Sequence, residues 1–504
     1  MRRVGLVVVC VVGGLWASGC VSDPRDPNTW IKRLSDPRDQ KDAIMQLRRI
    51  GDPVAVPPLV ELYKKTKDAE VLKAIASFKD KRSVPTLVEA LDFSEDSCEP
   101  SASAATALGD INDPSSVDAL IKALQKPLPI KTRCNVVKLE SMKALVKMKA
   151  PAAVDALIKV LGTSADEQDF FLNQEAARSL AEFGDPRSVP ALIRGLFMTG
   201  RGADIFQPCR IALMRIGGPA VQPLVDAHLH KNDVLEADGK KFEFRPGIIE
   251  QKTALVLGDL RAKAAVPTLL ATLKKPLAGD NHRGALYALG MIADPSTTKE
   301  IVALLNDTKQ DFKDRISAAE ALNFVGDPSA FPALLAAAKS ADVTKDGQKY
   351  PDVRIASAMS YARLGGAAEA AAFAPVAAAE KAAPEQFKEC ATRLEVAKKC
   401  NKDVACYGAA LEDPSLPKQE KAAFMLGRFG KDGAPILAKK ISIREPIVRL
   451  ALLFSAGRAI ERGSADAQAA IKAIDTQIDI DRTKPTMREV VNEMRALKAW
   501  LQSK

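Results

Sequence analysis

Between Ala176 and Phe197 the chain reads AARSLAEFGDPRSVPALIRGLF, and near-copies of this stretch recur along most of its length. Ala177, Leu180, Ala181 and Phe183 keep the spacing of one helix face. Gly184-Asp185-Pro186 then punctuates: Gly can take the left-handed conformation that ends a helix, Asp can cap the next one, and Pro is preorganised for a first turn. Val189, Leu192, Ile193 and Leu196 give a second helix its apolar stripe, and Pro190 sits near its start, where a missing N–H costs little. A hairpin of this size cannot bury its apolar face alone, so it must stack on neighbours.

The stacking units can be counted by their second-helix anchors. Leu59, Leu87, Leu120, Leu157, Leu192, Leu224, Leu269, Ile301 and Leu334 each follow a partner three residues earlier, hydrophobic except for Thr298, and are separated by 28, 33, 37, 35, 32, 45, 32 and 33 residues. A period in the thirties with two helices per unit predicts an all-α, right-handed α-solenoid of stacked antiparallel hairpins. Gly51-Asp52-Pro53, Gly184-Asp185-Pro186 and Gly326-Asp327-Pro328 repeat the turn outright, with Asp113-Pro114, Gly218-Pro219 and Asp294-Pro295 as variants. The helices before them are Ala-rich (AATALGDI, AARSLAEF, ALYALGMI, AAEALNFV), which lets neighbours approach closely.

At these residues, over roughly 30–366, the chain resembles the HEAT-repeat family, and within it the short phycobilisome-lyase HEAT-like repeats. That family's first helix often carries Val-Arg or Asp-Arg before Ala-Ala. Asp314-Arg315 and Val353-Arg354 fit, whereas Gln40, Asn173 and His282 fill the Arg slot elsewhere. The resemblance implies an armadillo- or HEAT-like superhelix with a protein-binding role, or a lyase that attaches or isomerises bilin pigments.

Two interruptions break the period. His228 to Gly247 is polar and holds Phe242 and Phe244, so it reads as a long loop with a small hairpin at KKFEF; Asp342 to Asp352 reads as a charged loop. Ala367 to Ala383 reads as an Ala-rich helix pair broken at Ala374-Pro375, Glu385 to Glu412 as a hairpin with a Cys cluster, and Lys421 to Leu437 as a returning repeat. The expected division is a solenoid over 29–340, degenerate repeats over 341–440 and a helical cap over 441–504, with helices at Pro446–Glu461, Asp466–Ile478 and Pro485–Gln502. A terminal repeat normally needs a polar outer face.

Residues 1–19 form a targeting segment: Arg2 and Arg3, an apolar run from Leu6 to Val12, and Ala17-Ser18-Gly19 directly before Cys20. The run is too short for a permanent span. Cys20 after small residues resembles the lipobox of bacterial lipoproteins, although Ala17 stands where Leu is usual. The resemblance implies cleavage after Gly19 and a lipidated Cys20, followed by a polar tether over 20–28. Val21, where an inner-membrane retention signal would place Asp, favours the outer membrane. Multiple acyl chains give stable anchoring. Loss of Arg2 and Arg3 lowers the formal charge from +10 to +8, a modest surplus interleaved with acids that calls for no nucleic acid.

In an exported protein the remaining cysteines are read for disulfides first. Cys400 and Cys406 bracket a helix–helix turn, with Cys390 and Cys406 as the competing pair. Cys98 and Cys134 fall at near-equivalent places in successive first helices, and Cys209 reads as a buried thiol. No C-x-x-C or C-x-x-C-H occurs, no His lies near the Cys cluster, and no Walker, Rossmann, G-x-S-x-G or H-E-x-x-H motif appears, so neither metal nor cofactor is expected. His228 and His230 read as an exposed loop pair and His282 as structural. With 5% aromatic residues, an aromatic platform for sugars is not expected. The expectation is a monomeric, non-catalytic scaffold at the envelope that binds another envelope protein. Its surface would run over Lys122, Lys159 and Arg194 on the second helices, taken to line the inner face, with Phe242 and Phe244 on the insertion. A lyase-type enzyme and a structural spacer are the alternatives.

Overall fold

The recurring Asp-Pro turn is the joint from which the architecture follows. In the computed structural model, Gly51, Gly184 and Gly326 end their helices in the left-handed conformation (φ 74°, 59° and 76°). The next Asp does not cap the second helix itself. Its carboxylate accepts from the N–H two residues on (Asp52 from Val54, Asp113 from Ser115, Asp185 from Arg187, Asp294 from Ser296, Asp327 from Ser329) and closes a three-residue 3-10 turn opened by Pro. The α-helix proper begins one residue later, at Val56, Val117, Val189, Thr298 or Phe331. Where that turn carries a buried hydroxyl, it donates back to the Asp carbonyl: Ser116 to Asp113 at 2.7 Å, Ser188 to Asp185 at 2.6 Å, Thr297 to Asp294 at 2.8 Å. A buried hydroxyl left without a partner would be costly.

The structure describes residues 23–503 apart from 201, 277–281, 346–347 and 444, and only the backbone of Lys345. The targeting segment and Cys20 lie outside the described residues. The polar tether is shorter than expected, since a helix, Pro27–Arg33, begins within it and buries Trp30. All nine anchors, from Leu59 to Leu334, have zero exposure. Helix pairs follow one another as the period requires: Gln40–Ile50 with Val56–Thr66, Phe170–Phe183 with Val189–Gly195, Phe312–Val325 with Phe331–Ala338, and on to Leu416–Arg428 with Ala434–Lys440. The chain is an α-solenoid.

The family's Arg slot has a physical role that explains its variants. Its side chain reaches carbonyls left unpaired at or beyond the end of the preceding helix. Arg315 donates to the Leu305 carbonyl at 2.9 Å, Gln40 to that of Leu34 at 2.9 Å, and Asn173 to those of Leu161 at 2.9 Å and Thr163 at 2.7 Å. Two occupants depart from this: His282 faces Asp314 at 3.0 Å, and Arg354 pairs with Asp342 at 2.7 Å and Glu380 at 2.9 Å.

The chain divides into two compact units, one of Met1–Lys126 with Thr132–Ala150, the other of Pro127–Lys131 with Pro151–Lys504. In the first, helices Cys98–Ile111 and Asn135–Lys147 pack backbone to backbone, because a Cβ on Gly109 would stand 2.7 Å from the Ala144 Cα. The Cys98–Cys134 disulfide joins the starts of these helices, with Cα atoms 4.8 Å apart. In the second unit, consecutive first helices also pack along their lengths, whereas consecutive second helices meet sparsely. Gly258 against Ala288, Gly290 against Ala321 and Gly427 against Ser455 leave no room for a methyl.

Four expectations need correction. His228 to Gly247 is not a loop with a hairpin: it forms a helix, Asp233–Lys241, started by the Asn232 side chain. Asp342 to Asp352 is not a plain loop, since Val343–Lys345 pairs antiparallel with Gln348–Tyr350; a second such pair joins Thr199–Gly200 to Ala203–Asp204. Ala367–Ala379 is one helix with Pro375 inside it, not two, because its alanines sustain the helix on both sides of the ring. Finally, the last helix, Arg488–Leu501, is more than an outer cap: Arg488, Glu489 and Arg495 stay exposed on one side while the other side is buried. It folds back onto helix Phe206–Ile216, where Ala496 and Ala499 meet Met214.

Candidate functional site

The last helix makes the second unit a solenoid closed on itself, and the space it encloses is a cavity of about 420 Å³. Its wall comes from first helices and the terminal helix: Arg210, Asp259, Tyr287, Phe324, Phe424 and Glu493 all face it. First helices, not second helices as expected, therefore line the inner face of this unit. The reason is in the packing: the small residues that allow close approach sit on the first helices, so that layer is the tighter one.

At one end of the cavity Arg210, 5% exposed, bridges two carboxylates. It donates to Asp259 at 2.6 and 2.9 Å and to Glu493 at 2.6 and 3.0 Å. The Tyr287 hydroxyl donates to Asp259 at 3.0 Å. Burial disfavours the Arg210 charge, but the two carboxylates outweigh it and hold the guanidinium ionised. Burial, and then the charge of Asp259, push the Tyr287 phenol well above its ordinary range. At the other end Glu420, 3% exposed, accepts from Arg363 and from Arg393, the latter at 2.6 and 2.8 Å, and ties three successive first helices together. Burial would raise the Glu420 pKa; the two guanidiniums lower it.

Between these clusters Phe324, Phe424 and Phe454 pack ring on ring, with centroids 4.6–6.2 Å apart. This aromatic wall was not expected from composition, and it joins Phe424 and Phe454, on neighbouring first helices, to Phe324, a hundred residues before Phe424. Deeper cations satisfy helix ends. Lys421, fully buried, donates to the carbonyls of Ala362, Arg363 and Gly365, which match its three N–H groups. Arg428 reaches the carbonyls of Leu364 and Gly326, and Arg458 those of Phe324 and Val325. Positive charge at a helix C-terminus is favourable. Burial nonetheless lowers the pKa of all three, that of Lys421 most.

The described cysteines are bridged or buried, and His228 is buried too. Cys400 and Cys406 form a disulfide with Cα atoms 5.4 Å apart, so the alternative pairing of Cys390 with Cys406 is not made; Cys390 is buried and cannot compete for a partner already bridged across its own turn. Burial pushes the Cys390 thiol up to about 12 and raises that of Cys209, which is buried as expected. His228 is not exposed: it is fully buried and lies 3.0 Å from the Thr253 hydroxyl and 3.3 Å from that of Thr272. Burial lowers its pKa. Among the described residues no cluster of His, Cys, Asp and Glu could hold a metal ion, and no helix is long and apolar enough to cross a membrane.

Of the expected partner surface, Lys122 and Lys159 are exposed on helices Val117–Gln125 and Ala153–Gly162, one in each unit. The other three residues converge at the insertion. Arg194 forms an ion pair with Asp238 of the inserted helix, Phe244 stacks on Phe197 at 5.4 Å, and Phe242 stands 57% exposed with the Lys241 ammonium 5.0 Å from its ring centre. Val234, on the same helix, is 62% exposed.

Family models recognise the repeats: those for HEAT repeats match residues 68–133 and 84–170, and those for the PBS lyase HEAT-like repeat match 39–65, 173–197 and 314–340. The phycocyanobilin lyase subunit alpha of Pseudanabaena tenuis is 29% identical over 175 residues, which cover 32% of this chain and 61% of that protein. Among solved structures, the phycocyanin lyase complex of CpcE and CpcF from Nostoc is 19% identical, with 61% of this chain and 93% of that one covered and a TM-score of 0.23. The karyopherin Kap121p bound to the extreme C-terminus of the phosphatase Cdc14p is 12% identical, with 96% and 52% covered and a TM-score of 0.46.

Proposed function

For a chain built of HEAT repeats, some of them of the PBS lyase type, we propose a non-catalytic role as a protein-binding scaffold of the bacterial envelope, anchored by lipid on Cys20. The observation that carries this reading is the insertion. A short helix pinned to the stack through Arg194–Asp238 and Phe197–Phe244 holds Phe242 and Val234 in solvent. Rigidly presented aromatic and aliphatic side chains are the usual anchors of an interface. Lys231, Lys240, Lys241 and Arg245 surround them and outnumber the exposed acids Asp233 and Glu243, so the fitting partner is an envelope protein with an acidic rim around an apolar pocket. Around the cavity, Arg210 pairs with Asp259 and Glu493, and Arg363 with Glu420, which favours binding over chemistry.

The test is affinity purification of the full-length chain from detergent-solubilised envelope. A stoichiometric protein partner is expected, lost on Phe242→Asp with the helical circular dichroism intact. Cys20→Ala should move the chain from the membrane to the soluble fraction.

A second reading, a role in bilin attachment, is favoured by the similarity to a phycocyanobilin lyase subunit and by the aromatic wall of the cavity. Bilin retained by the purified chain, and lost on Phe454→Ala, would replace the scaffold with that reading.

A further inference from the structure

His230 follows directly on helix Val221–His228 and sits in the left-handed conformation, φ 57°. Its two ring nitrogens face two carboxylates. Nδ1 lies 2.7 Å from Glu236 Oε1, on the inserted helix, and Nε2 lies 2.9 Å from Glu250 Oε1, in the first turn of helix Ile248–Asp259. An ionised carboxylate only accepts, and a neutral imidazole has a single N–H to give. Both contacts at once require the imidazolium. Glu250 is 2% exposed, and His230 is its side-chain partner.

We propose that the segment 229–247 is fastened by a pH-operated clip, in which the His230 cation bridges Glu236 of the inserted helix and the buried Glu250 of the stack. When the cation loses its proton, one carboxylate faces a lone pair. An unpaired buried carboxylate is costly, so the contact to Glu236 or to Glu250 opens. The ion pair Arg194–Asp238 and the Phe197–Phe244 stack remain, so the segment loosens at its His230 end and stays hinged at the other.

Of the other charged groups around the site, His228 feels the charges of Glu250 and His230, but it is fully buried between two threonine hydroxyls and burial lowers its pKa, so it gains a proton less readily than His230. On the same helix, Val221–His228, Asp226 accepts from Gln222. Lys231 and Asp233 are exposed, and Lys252 of helix Ile248–Asp259 donates to the Leu196 carbonyl. Burial opposes the His230 charge, but the hydrogen bonds and charges of Glu250 and Glu236 prevail and raise its pKa above the ordinary 6.5. A group raised in the folded state stabilises fully below its unfolded pKa and loses that contribution as pH climbs through the folded value. The clip is therefore closed in mild acid and open in mild base. Only its use, retuning how Phe242 and Val234 are presented, rests on the docking reading; the clip itself rests on geometry.

The test is hydrogen–deuterium exchange mass spectrometry on the full chain at about pH 5.5 and about pH 8, corrected for intrinsic rates, with imidazole C–H exchange reading each His pKa. His230 should titrate above 6.5, and peptides over 233–247 should lose protection on going to the higher pH, roughly tenfold for every pH unit by which His230 titrates above that value. Peptides from helix Phe312–Val325 should not change. His230→Gln should show the open pattern at both pH values, and Glu236→Gln, at a partly exposed position, should lower the His230 pKa. A His230 that titrates at or below 6.5, or a His230→Gln chain that keeps its low-pH protection, overturns the clip. Capture of the acidic partner at pH 5.5 is scored separately, so an intact clip without a partner sinks the docking reading alone.

Discussion

The repeat joints and the interior of the second unit are built from opposite kinds of interaction. At a joint such as Gly326-Asp327-Pro328, the bonds that shape the turn close within a few residues: Asp327 accepts from the Ser329 N–H at 3.0 Å, and Gly326 turns the chain, although its carbonyl also accepts from the distant Arg428. In the interior, Arg210 meets Glu493 across 283 residues of sequence, and Arg458 meets Phe324 across 134. The joints are local, redundant and individually weak. The interior contacts are few, buried and mutually dependent, so a single loss there has no substitute.

Mutations can break this contrast or sharpen it. The largest effect is expected for Arg210→Ala, which leaves the buried Asp259 without its cation and the partly exposed Glu493 without its partner; breaking a buried pair costs about 3–5 kcal/mol, read as a lower urea midpoint for the second unit. Replacing Cys98 and Cys134 by Ala, which removes the link across a separation of 36 residues and spares Cys400–Cys406, should take about 3–4 kcal/mol from the first unit and leave the second unit's melting unchanged. Gly427→Ala, whose methyl would stand 2.7 Å from the Ser455 Cβ, should cost about 1–3 kcal/mol by forcing two first helices apart. A joint should tolerate more: Asp327→Ala is expected to cost about 1 kcal/mol and to raise exchange only around its own turn. Should Asp327→Ala prove as damaging as Arg210→Ala, the contrast fails.

Acid offers a further probe of long-range pairing. Glu380 accepts from Arg354 and from the N–H groups of Ala382 and Ala383, which hold its pKa at about 2, well below its ordinary 4.5. Because the folded value is the lower one, its stabilisation is present above 4.5 and fades as pH falls from there to about 2. Glu380→Gln should flatten that acid limb in a fluorescence-monitored titration.

What was legible in the sequence follows the same line. Leu59 through Leu334 were readable as core because a period exposes them, and Gly184-Asp185-Pro186 because its chemistry is local. The cysteine pairs 98–134 and 400–406 could be read from repeat offset and turn length. The insertion misled because DVLEADGKK has little apolar content; it is helical because Arg194 and Phe197, some forty residues earlier, give it something to pack on. His228 looked exposed beside polar neighbours, yet Thr253 and Thr272 from later helices enclose it. The closure by Arg488–Leu501 left no signal, since an amphipathic terminal helix reads the same whether it caps a stack or turns inward.

The cations that finish helix ends carry a consequence for how the protein is made. Helix Phe312–Val325 leaves the ribosome more than a hundred residues before Arg428 and Arg458, which satisfy its last carbonyls. Its end must therefore stay solvated until the distal third of the polypeptide has been synthesised and has arrived. A nascent chain halted before Arg458 would hold correct hairpins around an unfinished centre, so the unit matures in one late step and not repeat by repeat.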